Sequence, residues 1–268
     1  MTGRTSWRRR AIALLAVLVA AAALVSVVRA LTTTDRHGAR VERLGRSYVV
    51  VPQGGARGRP MLVFLHGRGG GPRSNLVEEM FAALAREGKR APLVVLPDGG
   101  DHGYWHDRAG RAWGRYVVDT VVPRALRRWH ADARRVAIGG ISMGGFGALD
   151  IARLHPGRFC AAGAHSPALW RTGGETAPGA FDDADDFARH DVIGAMERTP
   201  RAFGGTRLWL DAGTSDPFDP GDRAFAAAAR RSGVPLRVHR WPGGHEGAYW
   251  RAHWGAYVRF YAAALAAC

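Results

Sequence analysis

Val136-Ala137-Ile138-Gly139-Gly140-Ile141-Ser142-Met143-Gly144-Gly145-Phe146-Gly147 is the stretch that decides how this chain folds. An apolar run enters a serine flanked by glycines, and Gly145, Phe146, Gly147, Ala148 and Leu149 leave it as a helix whose small residues allow close packing on a sheet. A serine that attacks a carbonyl must stand clear of its own backbone. The sharp strand-to-helix turn that exposes it leaves no room for side chains two positions before and after, which Gly140 and Gly144 satisfy. In a chain with 36 glycines among 268 residues the pattern alone says little. The strand before it and the helix after it give it weight.

Working outward, the same alternation recurs. Ser47 to Val51, Met61 to Leu65, Leu93 to Leu96, Arg135 to Gly139, Arg207 to Leu210 and Leu236 to His239 are short apolar or β-branched runs bounded by turn formers, as strands are. Between them lie helical periodicities. Leu76, Val77, Met80, Phe81 and Leu84 share a face behind an Asn75/Glu78 pair that resembles a capping box. A second face runs from Tyr116 to Trp129 with a kink expected at Pro123, and an Ala-rich helix lies near Asp222 to Arg231. A final helix carries Trp250, Trp254, Tyr257, Val258, Tyr261 and Leu265. Continuous apolar strands alternating with helices imply an α/β fold: a mostly parallel central sheet with helices on both faces. Only residues 171 to 200 intervene between two strands at the one place a lid could sit, so no large lid domain is expected.

A serine nucleophile needs a base, and the base needs an orienting carboxylate; in this fold they follow in the order serine, acid, histidine. Asp211-Ala212-Gly213-Thr214-Ser215-Asp216-Pro217-Phe218 follows one strand and Pro242-Gly243-Gly244-His245-Glu246 follows the last. His245 precedes the terminal helix in a glycine-rich loop and is the expected base. Asp216, at the far end of its loop, is favoured as the acid over Asp211, which is expected to begin the turn and bond backbone amides. Two backbone N–H groups are needed where negative charge develops. Met143 follows the nucleophile, and Arg68 follows His66-Gly67 in the loop after Met61 to Leu65, so these two amides are expected to form the oxyanion hole. Tyr104, Trp105 and Trp170 are expected as substrate-binding walls, because loops at the carboxyl ends of strands surround the nucleophile.

Taken with His66-Gly67, Pro97-Asp98-Gly99-Gly100, Tyr104-Trp105, Val122-Pro123, Gly140 to Gly147, His155-Pro156-Gly157-Arg158-Phe159, Ser166, Asp216-Pro217-Phe218, Gly244-His245 and Tyr249-Trp250, the chain resembles α/β-hydrolases of the esterase family that includes S-formylglutathione hydrolase and the mycolyltransferases. These pieces run in order over about 200 residues. The resemblance implies an α/β-hydrolase fold, the triad Ser142, Asp216 and His245, and the oxyanion amides of Arg68 and Met143. It implies a serine esterase, with acyl transfer to a sugar or lipid hydroxyl as the alternative within the class. A silent fold that only binds the cell envelope is the alternative outside it.

Composition bounds the rest. The net charge is +15, but Arg4, Arg8, Arg9, Arg10 and Arg29 account for five of the basic residues, and the others are dispersed rather than striped with aromatics, so nucleic acid is not an expected partner. Arg8-Arg9-Arg10 precedes an apolar run from Ala11 to Val28, the order the export machinery reads. Residues 1–30 are expected to be a signal peptide or a membrane anchor, with membrane contact through residues 11–28. Residues 31–46 are read as a linker and 47–268 as the catalytic domain. The protein is then exported, either secreted or held on the outer face of the cytoplasmic membrane. No cofactor or metal is expected: the acids Asp182, Asp183, Asp185, Asp186 and Asp191 lack the spacing and terminal glutamate of a calcium loop. The oligomeric state is left open. Cys160 opens the strand that runs toward Ser166, and a terminal helix of about 20 residues starting beside His245 must end near the same edge, at about 1.5 Å per residue, so a bridge between Cys160 and Cys268 is open in an oxidising compartment.

Overall fold

The structure is a computed structural model that describes residues 36–268; the expected export segment, residues 1–30, lies outside the described residues. Ten strands are found there: β1 Arg40–Leu44, β2 Ser47–Val51, β3 Met61–Leu65, β4 Leu93–Leu96, β5 Asp107–Arg108, β6 Arg111–Ala112, β7 Val136–Ile141, β8 Ala161–His165, β9 Arg207–Gly213 and β10 Leu236–Trp241. Eight form one sheet in the order β1-β2-β4-β3-β7-β8-β9-β10. The first two pairings, β1 with β2 and β2 with β4, are antiparallel, and every pairing from β4 through β10 is parallel. A parallel sheet must be covered on both faces. All five residues of β3 are buried, as that requires.

Two helices, α1 Glu78–Glu87 and α8 Gly247–Ala266, cover one face, where Met80, Phe81 and Leu84 meet Trp254, Tyr257, Val258, Tyr261 and Leu265 over Phe64 and Val94. The other face carries α3 Val122–Trp129, α4 Met143–Leu154, α6 Val192–Arg198 and α7 Asp219–Arg231, packed over Val63, Ile138, Ala162 and Leu210. The expected helix through Pro123 begins as the short α2 Trp113–Arg115, passes through a π-helical stretch Tyr116–Val121 and becomes α3, with Pro123 in its first turn. Pro123 brings no N–H to the turn before it, and the change of winding from π to α falls at this point.

Three local expectations are corrected. The stretch read as a linker, 31–46, supplies strand β1, which pairs with β2 residue for residue from Arg40↔Val51 to Leu44↔Ser47; its Arg-Val-Glu-Arg-Leu reads as polar because it is an edge strand. The helix after Asn75 starts at Glu78 with Val77 as its cap and no side-chain capping bond, so the capping-box reading fails. The strands that lead to the site run further than expected, because β7 continues past Gly139 through Gly140 and Ile141 and β9 continues past Leu210 through Asp211 to Gly213.

The segment between β8 and β9 packs as an extension of the domain and carries α5 Ala184–His190. Its acids are structural. Asp183 and Asp191 cap α5 and α6 through the amides of Asp186 and Gly194, Asp182 pairs with Arg108, and Asp186 accepts from His106 at 3.0 Å. Burial, reinforced by the nearby His190, lowers the His106 pKa. Cys160 and Cys268 are joined in a disulfide with their Cα atoms 6.0 Å apart. No helix among the described residues is long and apolar enough to cross a membrane.

Candidate active site

At the carboxyl end of β7 the chain turns at Ser142, whose φ of 57° lies in the left-handed region, and enters α4 at Met143. The glycines on either side are required by contact. A Cβ on Gly140 would lie 2.5 Å from the Gly144 backbone, and one on Gly144 would lie 2.3 Å from the Leu65 carbonyl oxygen. The strained turn is held by its own backbone: Ser142 N donates to His165 O at 2.9 Å, and Ser142 O accepts from Phe146 N at 3.0 Å and Ala168 N at 3.1 Å.

Two loops bring the partners. Thr214–Phe218 follows β9 and Pro242–Glu246 follows β10, and they are clasped by Ser215 N to Gly243 O at 2.9 Å, with Gly213 so close to Gly243 O that a Cβ would sit 2.3 Å from it. This sets His245 between serine and acid: Nε2 is 2.8 Å from Ser142 Oγ, and Nδ1 is 3.0 Å from Asp216 Oδ2 and 3.2 Å from Oδ1. Asp216 is buried at 4% exposure and also accepts the Phe218 amide at 2.9 Å. Burial works against its ionisation, but the hydrogen bond and charge of His245 and the Phe218 N–H outweigh it and hold the carboxyl below its ordinary pKa. A carboxylate on Nδ1–H leaves Nε2 as an acceptor for the serine hydroxyl.

Asp211, the acid set aside in the sequence, bonds side chains rather than turn amides. Its Oδ1 accepts from His165 Nδ1 at 2.6 Å and Trp209 Nε1 at 2.5 Å, and its Oδ2 from the hydroxyls of Tyr249 at 3.0 Å and Tyr257 at 2.9 Å. His165 Nε2 in turn meets the Tyr261 hydroxyl at 2.9 Å. This fully buried network ties β8 and β9 to α8, the helix whose start follows His245.

The His66-Gly67-Arg68 turn lies against the nucleophile, since a Cβ on Gly67 would stand 3.5 Å from Ser142 Cβ. His66 is structural there: Nε2 accepts the Gly99 amide at 3.1 Å, its carbonyl accepts Trp105 Nε1 at 3.0 Å, and burial lowers its pKa. Met143, at the first position of α4, has an amide with no carbonyl in the preceding turn, and the Arg68 amide bonds no group among the described residues.

A cavity of 470 Å³ opens over Ser142, lined among others by Arg68, Asn75, Tyr104, Phe218, His245 and Trp250. Of the aromatic walls expected from sequence, Tyr104 lines it. Trp105 does not: it is fully buried, pressed so closely on Gly99 and Gly147 that a Cβ at either would meet its ring at 2.5 and 2.8 Å. Trp170 also stands behind the wall, its ring centroid 5.5 Å from Tyr104 and 5.7 Å from Phe218. Sequence reasoning missed Asn75, taken for a helix cap, and Trp250, taken for a core face; Trp250 meets His245 edge-on at 5.2 Å. The signal available for Trp250 was its position five residues past His245, one turn into the helix.

One buried acid near the site has no partner. Asp222, in the first turns of α7, is 1% exposed and neither carboxyl oxygen is hydrogen-bonded. Burial, with the charges of Asp216, Asp219 and Asp211, pushes its pKa well above the ordinary value. The unfolded chain therefore releases this proton from about pH 4 upward while the folded chain keeps it, so this group costs stability as pH rises. Asp222→Asn removes the titration and is expected to raise stability by about 1–2 kcal/mol at pH 7, with the gain vanishing near pH 4. Thermal unfolding at the two pH values checks this, and a variant less stable at pH 7 contradicts it.

The family model described as "Putative esterase" matches residues 40–260. The chain belongs to this esterase family. An esterase of Mycobacterium tuberculosis is 30% identical over 224 residues, 69% of this chain and 48% of that protein, and the diacylglycerol acyltransferase/mycolyltransferase Ag85B of Mycobacterium leprae is 27% identical over 207 residues, 67% of this chain and 63% of that protein. The chain thus spans about half the length of the Mycobacterium tuberculosis esterase it matches. Among solved structures, a ferulic acid esterase superposes with a TM-score of 0.72 at 19% identity, covering 84% of this chain and 97% of that one. The S-formylglutathione hydrolase of Agrobacterium tumefaciens gives 0.68 at 21%, covering 85% and 96%. Both share the α/β-hydrolase fold of this esterase-family chain, which shows no large additional domain among the described residues.

Proposed function

We propose that this chain is an exported serine hydrolase that cleaves carboxylic esters through an acyl-enzyme. The observation that carries the reading is the line from Ser142 Oγ to His245 Nε2 at 2.8 Å and from His245 Nδ1 to Asp216 Oδ2 at 3.0 Å. In the first half-reaction Ser142 Oγ attacks the ester carbonyl carbon while His245 Nε2 takes the hydroxyl proton, and the carbonyl oxygen gains the negative charge. The amides of Arg68 and Met143 stabilise that oxyanion, and the positive N-terminus of α4 adds to it. His245 then gives its proton to the departing alcohol. Water repeats the sequence on the acyl-enzyme, and the carboxylic acid leaves with Ser142 restored. Asp216 keeps the imidazole in the required tautomer and stabilises its charged form.

Similarity to a mycolyltransferase favours a second reading, in which a sugar or lipid hydroxyl takes the place of water. A panel of esters of increasing acyl length, assayed with and without trehalose or glycerol, separates the two: hydrolysis unaffected by the alcohols supports the esterase, and a new ester product supports transfer. Absence of turnover across the panel contradicts both. Export is supported by Arg8-Arg9-Arg10 ahead of the apolar run 11–28, and by a disulfide that needs an oxidising compartment to persist.

A further inference from the structure

Arg68 lines the cavity with an exposed side chain. Its Nη2 donates to the Pro178 carbonyl at 3.5 Å, on the segment that follows β8, and its guanidinium lies by the Tyr104 phenol, where its charge and a hydrogen bond oppose the larger upward push of burial on that group's pKa. Apart from His245 it is the one ionisable cation among the residues that line the cavity, and no carboxylate lines it. Nor does Arg68 form a salt bridge, although Arg108, Arg115, Arg135 and Arg153 all do with nearby aspartates. A guanidinium on the wall of this cavity, with no carboxylate beside it, keeps N–H donors beyond those spent on Pro178 and Tyr104 for a ligand.

The leaving alcohol must take its proton from His245 Nε2, so it lies on the side where Phe218 and Trp250 pack against the imidazole, with ring centroids at 4.9 and 5.2 Å. We propose that the acyl group lies along the His66-Gly67-Arg68 turn and that Arg68 selects esters whose acyl chain carries a carboxylate, so that the preferred substrates are half-esters of dicarboxylic acids. The proposal rests on ester cleavage at Ser142 and adds no step to it; the carboxylate is bound and the charge pair unchanged through the reaction.

The test compares two 4-nitrophenyl esters, one of adipic acid with its far carboxyl free and one with that carboxyl capped as the methyl ester. For the wild-type chain kcat/KM is expected to be roughly five- to tenfold higher for the free acid, mainly through KM, because a partly exposed charge-assisted pair is worth that much. The preference should shrink in about 0.5 M salt. Arg68→Gln is expected to bring the ratio near one, and Arg68→Lys to retain part of it, since a point charge replaces the fork. Turnover of the capped ester with no preference for the free acid overturns the proposal, as does a ratio that Arg68→Gln leaves unchanged. Turnover of neither ester overturns the esterase reading itself and this proposal with it.

Discussion

Ser142→Ala is expected to abolish turnover of a small activated ester, by about 10⁴- to 10⁶-fold in kcat, while thermal unfolding stays close to wild type. The rate effect follows from the only role the hydroxyl has in the structure, its contact with His245 Nε2. Stability is spared because the strained turn is fastened by the backbone of residue 142 to His165, Phe146 and Ala168, and alanine at a φ of 57° is no more strained than serine. An alkyl phosphonate probe, which traps the nucleophile covalently, should label the wild-type chain and not the variant. Labelling that survives the substitution would place the nucleophile elsewhere.

The second large effect separates two acids five residues apart. Asp216→Asn is expected to cost about 10³- to 10⁴-fold in kcat with a small change in stability, because an amide N–H facing Nδ1 drives the imidazole to the tautomer whose Nε2–H cannot accept the serine proton. Asp211→Asn should do the reverse. Its carboxylate accepts from His165, Trp209, Tyr249 and Tyr257 in a fully buried site, and an amide there turns its NH2 toward two of those four donors. A loss of about 3 kcal/mol or more is expected, with the remaining folded protein still active. Kinetics and denaturant unfolding on the same preparations decide it, and equal losses of rate in the two variants would reopen the choice of acid.

Much of the architecture was legible because a sheet covered on both faces leaves continuous apolar runs, and Met61–Leu65 and Leu93–Leu96 coincide with strands to the residue. What the runs hid was how far β7 and β9 continue past them, because Gly140 and Asp211 to Gly213 look in sequence like turns. Inside the expected strands, Gly139 and Gly163 sit where the Tyr261 hydroxyl comes within 1.8 and 2.0 Å of a would-be Cβ, so glycine there serves the close approach of α8. The polar edge strand β1 hid for the opposite reason, since an edge has little to bury. In the site, order along the chain pointed to Ser142, Asp216 and His245 because the fold fixes that order. The cavity walls were less legible. Tyr104 and Trp105 are adjacent, both at positive φ, and the backbone turn that sends one ring into the cavity and the other beneath it leaves no mark on residue type.

The Cys160–Cys268 bond closes a covalent ring over a sequence separation of 108 residues. Asp216 and His245 lie inside the ring and Ser142 outside it, so the machinery is divided between a closed circuit and the open stem that leads into it. Closing a circuit of about 100 residues removes roughly 4.7 kcal/mol of freedom from the unfolded chain in the loop-entropy account. It also changes what a protease can do. A nick in the exposed turn Arg171–Glu175 would cut the chain between serine and acid, yet the stem piece keeps Cys160 and the other piece keeps Cys268. The two remain one molecule, with β8 of one piece and β9 of the other still neighbours in the sheet and the acid and base still tethered beside the serine. For a chain exported as proposed, and so exposed to proteases, the bond makes backbone continuity in that loop dispensable.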